Sequence, residues 1–326
     1  MPVIDTRAEP PGQPGTLPPA TGGYAGAVTP GSRLSVLAPA CFVVLWSTGF
    51  VVAREGVRYA DPMTLVTLRF VIAAVVLVAI SLVAGARRPT RREALHCVVV
   101  GLLLQATYVC GVFAAIDHQL AAGVTALVTG LQPLLTACVV GPLLKERVNG
   151  RQWLGLLLGL GGVALVVERK VHFDAGTEVG LILAFAALLG ITAGTLYQRR
   201  FLPTVDLRAG MAVQYGAGAA VALVLALAFE PMHVTWTWQL GASLAWMSGV
   251  LSVGAYVGLM WLIRRMDAAR VASLFYLVPA STALIAWPWF GETVTAGMAL
   301  GMAIAAAGVA LVQRARERQP ALEQLV

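Results

Sequence analysis

Residues 121–166 read AAGVTALVTGLQPLLTACVVGPLLKERVNGRQWLGLLLGLGGVALV, and residues 267–312 read DAARVASLFYLVPASTALIAWPWFGETVTAGMALGMAIAAAGVALV. The two align without a gap at an offset of 146: Pro133 falls on Pro279, Pro142 on Pro288, Glu146 on Glu292, and Gly162 to Val166 on Gly308 to Val312. Their loops differ in charge. The first carries Lys145, Arg147 and Arg151, where the second has Gly291, Thr293 and Gly297. In membrane proteins Lys and Arg collect on the cytoplasmic side. A duplicated unit that is basic at one loop and bare at its copy is therefore expected to lie in the bilayer in two opposite orientations. Inverted repeats build transporters whose substrate site lies between the halves near the bilayer midplane.

The wider chain agrees. It is 58% hydrophobic and 12% charged, with a mean hydropathy of +0.79, whereas soluble domains are about a quarter charged. The net charge of +7 sits in short loops, where it sets topology and meets anionic lipid. No basic stretch interleaved with aromatics suggests a groove for nucleic acid. Cys41, Cys97, Cys110 and Cys138 all fall in apolar runs, without zinc spacing or a disulfide framework, and are expected to be packing residues. Residues 1–33, rich in Pro, Gly, Ala and Thr, read as a disordered tail rather than a cleaved signal peptide.

A span needs about 20 mostly apolar residues, and ten such runs are placed near 34–53, 62–84, 94–116, 120–143, 152–167, 179–198, 209–229, 240–263, 269–290 and 297–313. Ten spans put both termini on one side. On that side fall 18 of the 23 Lys and Arg residues; Arg54, Arg58, Arg169 and Lys170 fall on the other, and Arg69 is inside a span. Both termini are thus expected in the cytoplasm. Five spans per half, 34–168 and 179–314, force the second half to start from the opposite face, leaving 315–326 as a cytoplasmic tail. The loop after span 2 is basic while its partner after span 7 is not. The loop after span 3 is neutral while its partner after span 8 holds Arg264, Arg265 and Arg270. The expected fold is an all-α membrane protein of ten helices in two inverted five-helix repeats.

The runs LWSTGFVVAREGVRYADPMTLVTLRFVIAA (45–74) and AAGVTALVTGLQPLLTACVVGPLLKERVNGRQWLGLLLGLGGVALVV (121–167) resemble the EamA family of the drug/metabolite transporter superfamily. The resemblance extends over residues 36–314. It rests on the Trp-Ser element of span 1, Leu-Arg-Phe in span 2, and the Pro and Glu of spans 4–5, repeated in spans 9–10. It implies ten helices and metabolite transport, often export, without naming a substrate.

Polar groups at membrane depth usually face the bundle interior or a water-filled cavity. The candidate substrate-binding residues are Trp46, Phe50, Arg69, Tyr108, Thr129, Gln132, Tyr197, Tyr256 and Tyr276. The competing reading of the hydroxyls is interhelical bonding and close packing. Tyr108 and Tyr256 fall at matching depths of spans 3 and 8. Arg69 lies roughly 11 Å inside span 2 at about 1.5 Å per residue. It reads either as an anchor for a substrate carboxylate or as a structural Arg that snorkels or pairs with Glu55 or Asp117. Glu146 and Glu292 fit helix N-terminal capping. Pro133 and Pro279 are candidate hinges, since Pro frees a carbonyl and bends a helix; a plain packing kink is the alternative.

All 16 acidic residues fall in loops, tails or span ends. A cavity that is aromatic, rich in hydroxyls and free of carboxylates suits a neutral, zwitterionic or amphipathic metabolite, amino acids and their derivatives first. The expected function is export by alternating access from the plasma membrane; the alternative is export of drugs or amphipathic cations. A channel fits less well, and an intramembrane enzyme lacks clustered His, Asp, Glu or Cys at depth. The expected partners are a small molecule and the bilayer, with no nucleic acid, metal or cofactor, and the expected state is a monomer.

Overall fold

The computed structural model describes residues 33–118, 120, 125, 128–144, 148–167, 178–290 and 295–314. The expected tails, Glu146, Glu292 and the basic residues Lys145 and Arg147 lie outside them. Helices account for nearly all described residues: α1 (Arg33–Gly56), α2 (Pro62–Val83), α3 (Arg91–Asp117), α4 (Gln132–Leu144), α5 (Gly150–Val167), α6 (Glu178–Phe201), α7 (Leu207–Phe229), α8 (Trp238–Arg265), α9 (Ala268–Ser273 through Leu274–Tyr276 to Leu277–Phe290) and α10 (Ala296–Arg314). Helices are the natural outcome, because each satisfies its backbone within itself where lipid cannot. Eight are long and apolar enough to cross a membrane. The other two, α4 and α5, stand at the fourth and fifth expected spans; the described part of α4 is 13 residues and follows a turn at Gly130–Leu131.

The local signals are visible at several helix starts. Thr90 and Glu93 form a reciprocal capping box at α3, Pro62 opens α2, and the Thr237 hydroxyl accepts from the Leu240 N–H at 3.2 Å at α8. Lipid-facing positions carry exposed apolar side chains such as Val75, Leu82, Ile182 and Leu227. Trp236 and Trp238, 71% and 78% exposed, flank the start of α8, where an interfacial belt is expected.

The packing has the symmetry of two equivalent halves. Exchanging α1–α5 for α6–α10 maps each main neighbour pair onto another: α3 with α6 onto α8 with α1, α1 with α9 onto α6 with α4, and α3 with α7 onto α8 with α2. The pairs α2–α7, α4–α9 and α5–α10 map onto themselves. The closest self-mapped contact is the α5–α10 seam. A Cβ on Gly162 would lie 2.4 Å from the Ala305 nitrogen and 2.6 Å from the Gly301 oxygen. One on Gly308 would lie 2.5 Å from both the Gly155 oxygen and the Gly159 nitrogen. These contacts are the same under the 146-residue offset, which also makes Gly155 the counterpart of Gly301. Helices approach this closely only through small residues. Leu156 is fully buried beside the seam, while Leu158 is 39% exposed and faces outward.

The two ends of the bundle are closed by different chemistry. At the arginine-rich end, helix C-terminal carbonyls receive guanidinium donors, a favourable capping arrangement. Arg199 of α6 donates to the Ile263 oxygen at 3.3 Å and to that of Met266. Arg264 of α8 donates back to the Leu202 oxygen at 3.1 Å and to that of Val205. At the opposite end the α1–α2 and α7–α8 loops pair at Ala60 and Val234. Thr235 donates to the Tyr59 oxygen at 2.7 Å, and the Glu230 carboxylate accepts from the Met63 and Thr64 N–H groups at 2.6 and 2.8 Å. Capping of a helix N-terminus by a carboxylate, expected of Glu146 and Glu292, is thus seen at Glu230.

Candidate functional site

Helices α3 and α8, which the apolar pattern reads as plain spans, are both wound as π-helix through their middles, at Leu102–Cys110 and Trp246–Ala255. Such irregular windings recur at functional sites, and here they flank Arg69. The Arg69 Nε donates to the Ser252 Oγ at 3.0 Å, and its own carbonyl accepts from Ser248 at 3.2 Å. Its guanidinium stands 5.8 Å from the Phe70 ring centroid, with Tyr215 and Tyr108 as its polar neighbours. No ion pair forms at Arg69 among the described residues. Glu55, one suggested partner, is paired instead with Arg58 at 3.2 Å.

From Arg69 a line of polar and aromatic groups runs between the halves. The Tyr108 hydroxyl lies beside Trp46. Trp46 packs on Phe42 and edge-on to Phe275, with centroids 5.3 and 5.4 Å apart. Phe275 in turn lines a narrow crevice with Gln132, Thr136, Thr195 and Arg199. Gln132 and Thr136 are 2% and 1% exposed, and Gln132 Oε1 and Thr136 Oγ1 have no hydrogen-bond partner among the described residues. Buried polar atoms are normally satisfied; Gln105 Nε2 and the Tyr276 hydroxyl also lack a partner among the described residues, but these two oxygens share one crevice, which fits a place for a water or a ligand. The crevice as it stands has room for roughly one water.

The structure brings Trp46, Arg69, Tyr108 and Gln132 onto this line. Thr129, partly buried one turn before Gln132, donates to the Thr125 oxygen at 2.8 Å. Phe50 lies on α1, and its side chain is outside the described residues. Tyr197 is elsewhere: its hydroxyl meets His96 Nδ1 at 2.7 Å and its ring packs on Phe201 at 4.4 Å. Tyr256, 4% exposed, donates to Gln214 Oε1 at 2.9 Å, while Gln214 Nε2 donates to Gln198 Oε1 at 2.9 Å. Tyr276, 1% exposed, packs its ring against Gly159. Tyr256 therefore sits packed and satisfied, whereas the Tyr276 hydroxyl, though its ring is packed, has no hydrogen-bond partner among the described residues.

Pro133 and Pro279 each follow a break at the same place of the repeat. The Leu131 N–H bonds to the Val128 oxygen at 3.0 Å, and the Leu277 N–H to the Leu274 oxygen. Both are tight i to i−3 turns, and each lies two residues before a proline. A proline lacks the N–H that would bond the carbonyl four residues back, which here is Thr129 or Phe275. Ser47 of α1 docks beside the second break, donating to the Val43 oxygen at 2.7 Å and to that of Val278 at 3.3 Å.

Sequence reasoning missed Tyr215, Gln214 and Gln198. The Phe70 and Tyr215 rings stack edge-on, 5.5 Å apart at 66°, where α2 crosses α7. This aligns Leu68-Arg69-Phe70 with Val213-Gln214-Tyr215, so Gln214 occupies in the second half the place of Arg69 in the first. Ser248 contacts the Arg69 carbonyl, and Gly101 packs on that of Gln214 in the corresponding way. Two polar residues in mid-span 7 were the available signal, but three residues are too short a match to align by sequence.

The model of the EamA-like transporter family matches residues 33–168 and 178–314. The chain belongs to this family. The duplicated match coincides with the two halves that the packing relates. Among similar proteins, the inner membrane transporter YedA of Escherichia coli K12 is 27% identical over 289 residues, spanning 85% of this chain and 90% of its own. A Streptantibioticus cattleyicolor protein named "Probable terminal-alkyne amino-acid exporter" is 24% identical, spanning 83% and 91%. An Escherichia coli K12 protein named "Probable amino-acid metabolite efflux pump" is 26% identical, spanning 74% and 84%. A solved crystal structure, 24% identical, superposes with a TM-score of 0.72 over 85% of this chain and 96% of that one, showing the same fold. This EamA-like chain is a multi-pass membrane transporter and not an enzyme.

Proposed function

We propose that this transporter exports small metabolites, amino acids or related neutral and amphipathic compounds, by alternating access. Its working unit is ten spans in two inverted five-helix repeats, 34–168 and 179–314, with both termini in the cytoplasm and the arginine-rich end facing it. The observation that carries the reading is the line from Gln132 and Thr136 through Phe275, Trp46 and Tyr108 to Arg69, which lies between the halves and ends at two unsatisfied buried oxygens. The crevice is too tight for a metabolite, so transport needs the helices to part. The breaks before Pro133 and Pro279 are the places where α4 and α9 bend, and the reciprocal Arg199 and Arg264 contacts form the closure that must release at the arginine-rich end. Relatives named for amino-acid export support the substrate class.

Export of amphipathic cations is the alternative, and a fixed positive charge on the path opposes it. The test is counterflow in proteoliposomes loaded with labelled amino acids, N-acyl amino acids, nucleosides or cationic dyes. Saturable exchange of an amino acid or derivative supports the reading, and exchange of the dyes alone overturns it. With no carboxylate at mid-span, exchange continues when the pH gradient is collapsed; complete loss on collapse points to a proton carrier and against this account.

A further inference from the structure

We propose that Arg69 is the binding group for a carboxylate on the transported molecule, and that the cargo is a monoanionic carboxylate with an apolar body, such as an N-acyl amino acid. This deepens the transporter reading and rests on it. The first observation is an uncompensated charge. Arginine stays protonated in proteins, and a charge at membrane depth is paired or faces a cavity. Arg69 has neither a carboxylate partner among the described residues nor a route outward through the nearby acids: Glu55 pairs with Arg58, Glu230 caps α2, and Asp61 accepts from the His233 N–H at 2.7 Å.

The second observation is orientation. Nε is fixed on Ser252 and the backbone carbonyl is held by Ser248, so the side chain is anchored at its base and its two terminal nitrogens remain, with the Tyr215 hydroxyl beside them. A planar guanidinium edge suits a carboxylate in two-point contact. The third observation is what surrounds it. Tyr108 and Trp46 lead to Phe42 and Phe275, an apolar wall for the body of the ligand, and no carboxylate on this line would hold an ammonium group. A free zwitterion leaves its ammonium unpaired there; an N-acyl amino acid does not. Discrimination of this kind comes from the charge left unpaired as much as from the contact made.

Binding of three probes to the full chain in nanodiscs tests this, followed through tryptophan fluorescence and calorimetry: N-acetylphenylalanine, phenylalanine and the cation phenylalaninamide. The expected order is N-acetylphenylalanine tightest, phenylalanine weaker, and the amide weaker than N-acetylphenylalanine by about tenfold or more, the scale of one charge-assisted hydrogen bond. Arg69→Gln, which installs the residue found at the equivalent place in α7, should abolish the preference for the anion, while Arg69→Lys should retain part of it. Equal binding of the acid and the amide by the parent protein overturns the proposal, and this arm needs no variant to fold. Unchanged counterflow of N-acetylphenylalanine by a folded Arg69→Gln protein overturns it too while leaving the transporter reading intact. Absence of counterflow for every compound by the parent removes both.

Discussion

Arg69 and Gln214 occupy the same place in the two halves, yet their surroundings differ. Gln214 is buried and hydrogen-bonded on both sides, accepting from Tyr256 and donating to Gln198. Arg69 has only Ser252 and two tyrosines for a full charge. The α5–α10 seam shows the opposite behaviour, with Gly162 and Gly308 making equivalent contacts from either side. Where the halves remain alike, they hold the molecule together. Where they have diverged, one copy has kept a satisfied structural group and the other an unsatisfied charge on the line between the halves. This departure from the symmetry, more than polarity alone, is what singles out Arg69 as the proposed binding group.

The contrast can be broken most severely at the seam. Gly162→Leu and Gly308→Leu should each abolish most folded protein in size-exclusion chromatography, because a side chain there meets backbone at under 3 Å. Overpacking costs about 1–3 kcal/mol or more when the backbone must shift. A strong effect in only one half would contradict the two-fold packing.

The Arg69 and Gln214 pair should separate next. Arg69→Gln is expected to lower counterflow by about tenfold or more with the thermal midpoint held or raised. Gln214→Leu is expected to lower stability by about 1–3 kcal/mol, since the Tyr256 hydroxyl and the Gln198 amide lose their partner.

The tyrosines give a finer test. Tyr108→Ala should impair transport and leave the fold largely intact, as its hydroxyl faces Trp46 and Arg69. Tyr256→Ala should instead lower the yield of folded protein, because the ring fills core between Tyr215 and its neighbours.

The smallest effect concerns the starts of the two equivalent helices, α2 and α7. Asp206 caps its own helix α7, whereas α2 is capped from afar by Glu230. Burial raises the Asp206 carboxyl pKa, but the hydrogen bonds and charge of Arg208 outweigh this and hold it below its ordinary value. The contribution is therefore complete above the ordinary value near 3.9 and is lost as the pH falls through the depressed one. Asp206→Asn should lower stability at pH 7 by a few tenths of a kcal/mol, as befits a partly exposed pair. The difference between the two proteins should vanish in melts taken at the acid end.

Much of the fold was legible because it rests on composition and period. Apolar runs located the helices, and the 146-residue repeat carries the glycines that the structure places at the α5–α10 seam, since residues that meet across a two-fold must recur at one offset. The two π-wound segments were not legible. Leu102–Cys110 and Trp246–Ala255 are at least as apolar as their flanks, and apolarity does not distinguish a π winding from an α one. The proposed site was legible only in part. Trp46, Arg69, Tyr108 and Gln132 stand out as polar or amphipathic groups at depth, but so do Tyr197, Tyr256 and Tyr276. Whether a tyrosine faces the line between the halves or a glycine of the next helix depends on rotation about the helix axis, which near-uniform apolarity does not encode.

The inverted arrangement itself is tested most directly by sidedness. With Cys41, Cys97, Cys110 and Cys138 replaced, single cysteines at Arg87 in the α2–α3 loop and at Thr235 in the α7–α8 loop can be labelled with a membrane-impermeant maleimide in intact cells. The account predicts labelling at 235 from outside and at 87 only after the membrane is opened. Labelling of both positions from the same side would contradict it.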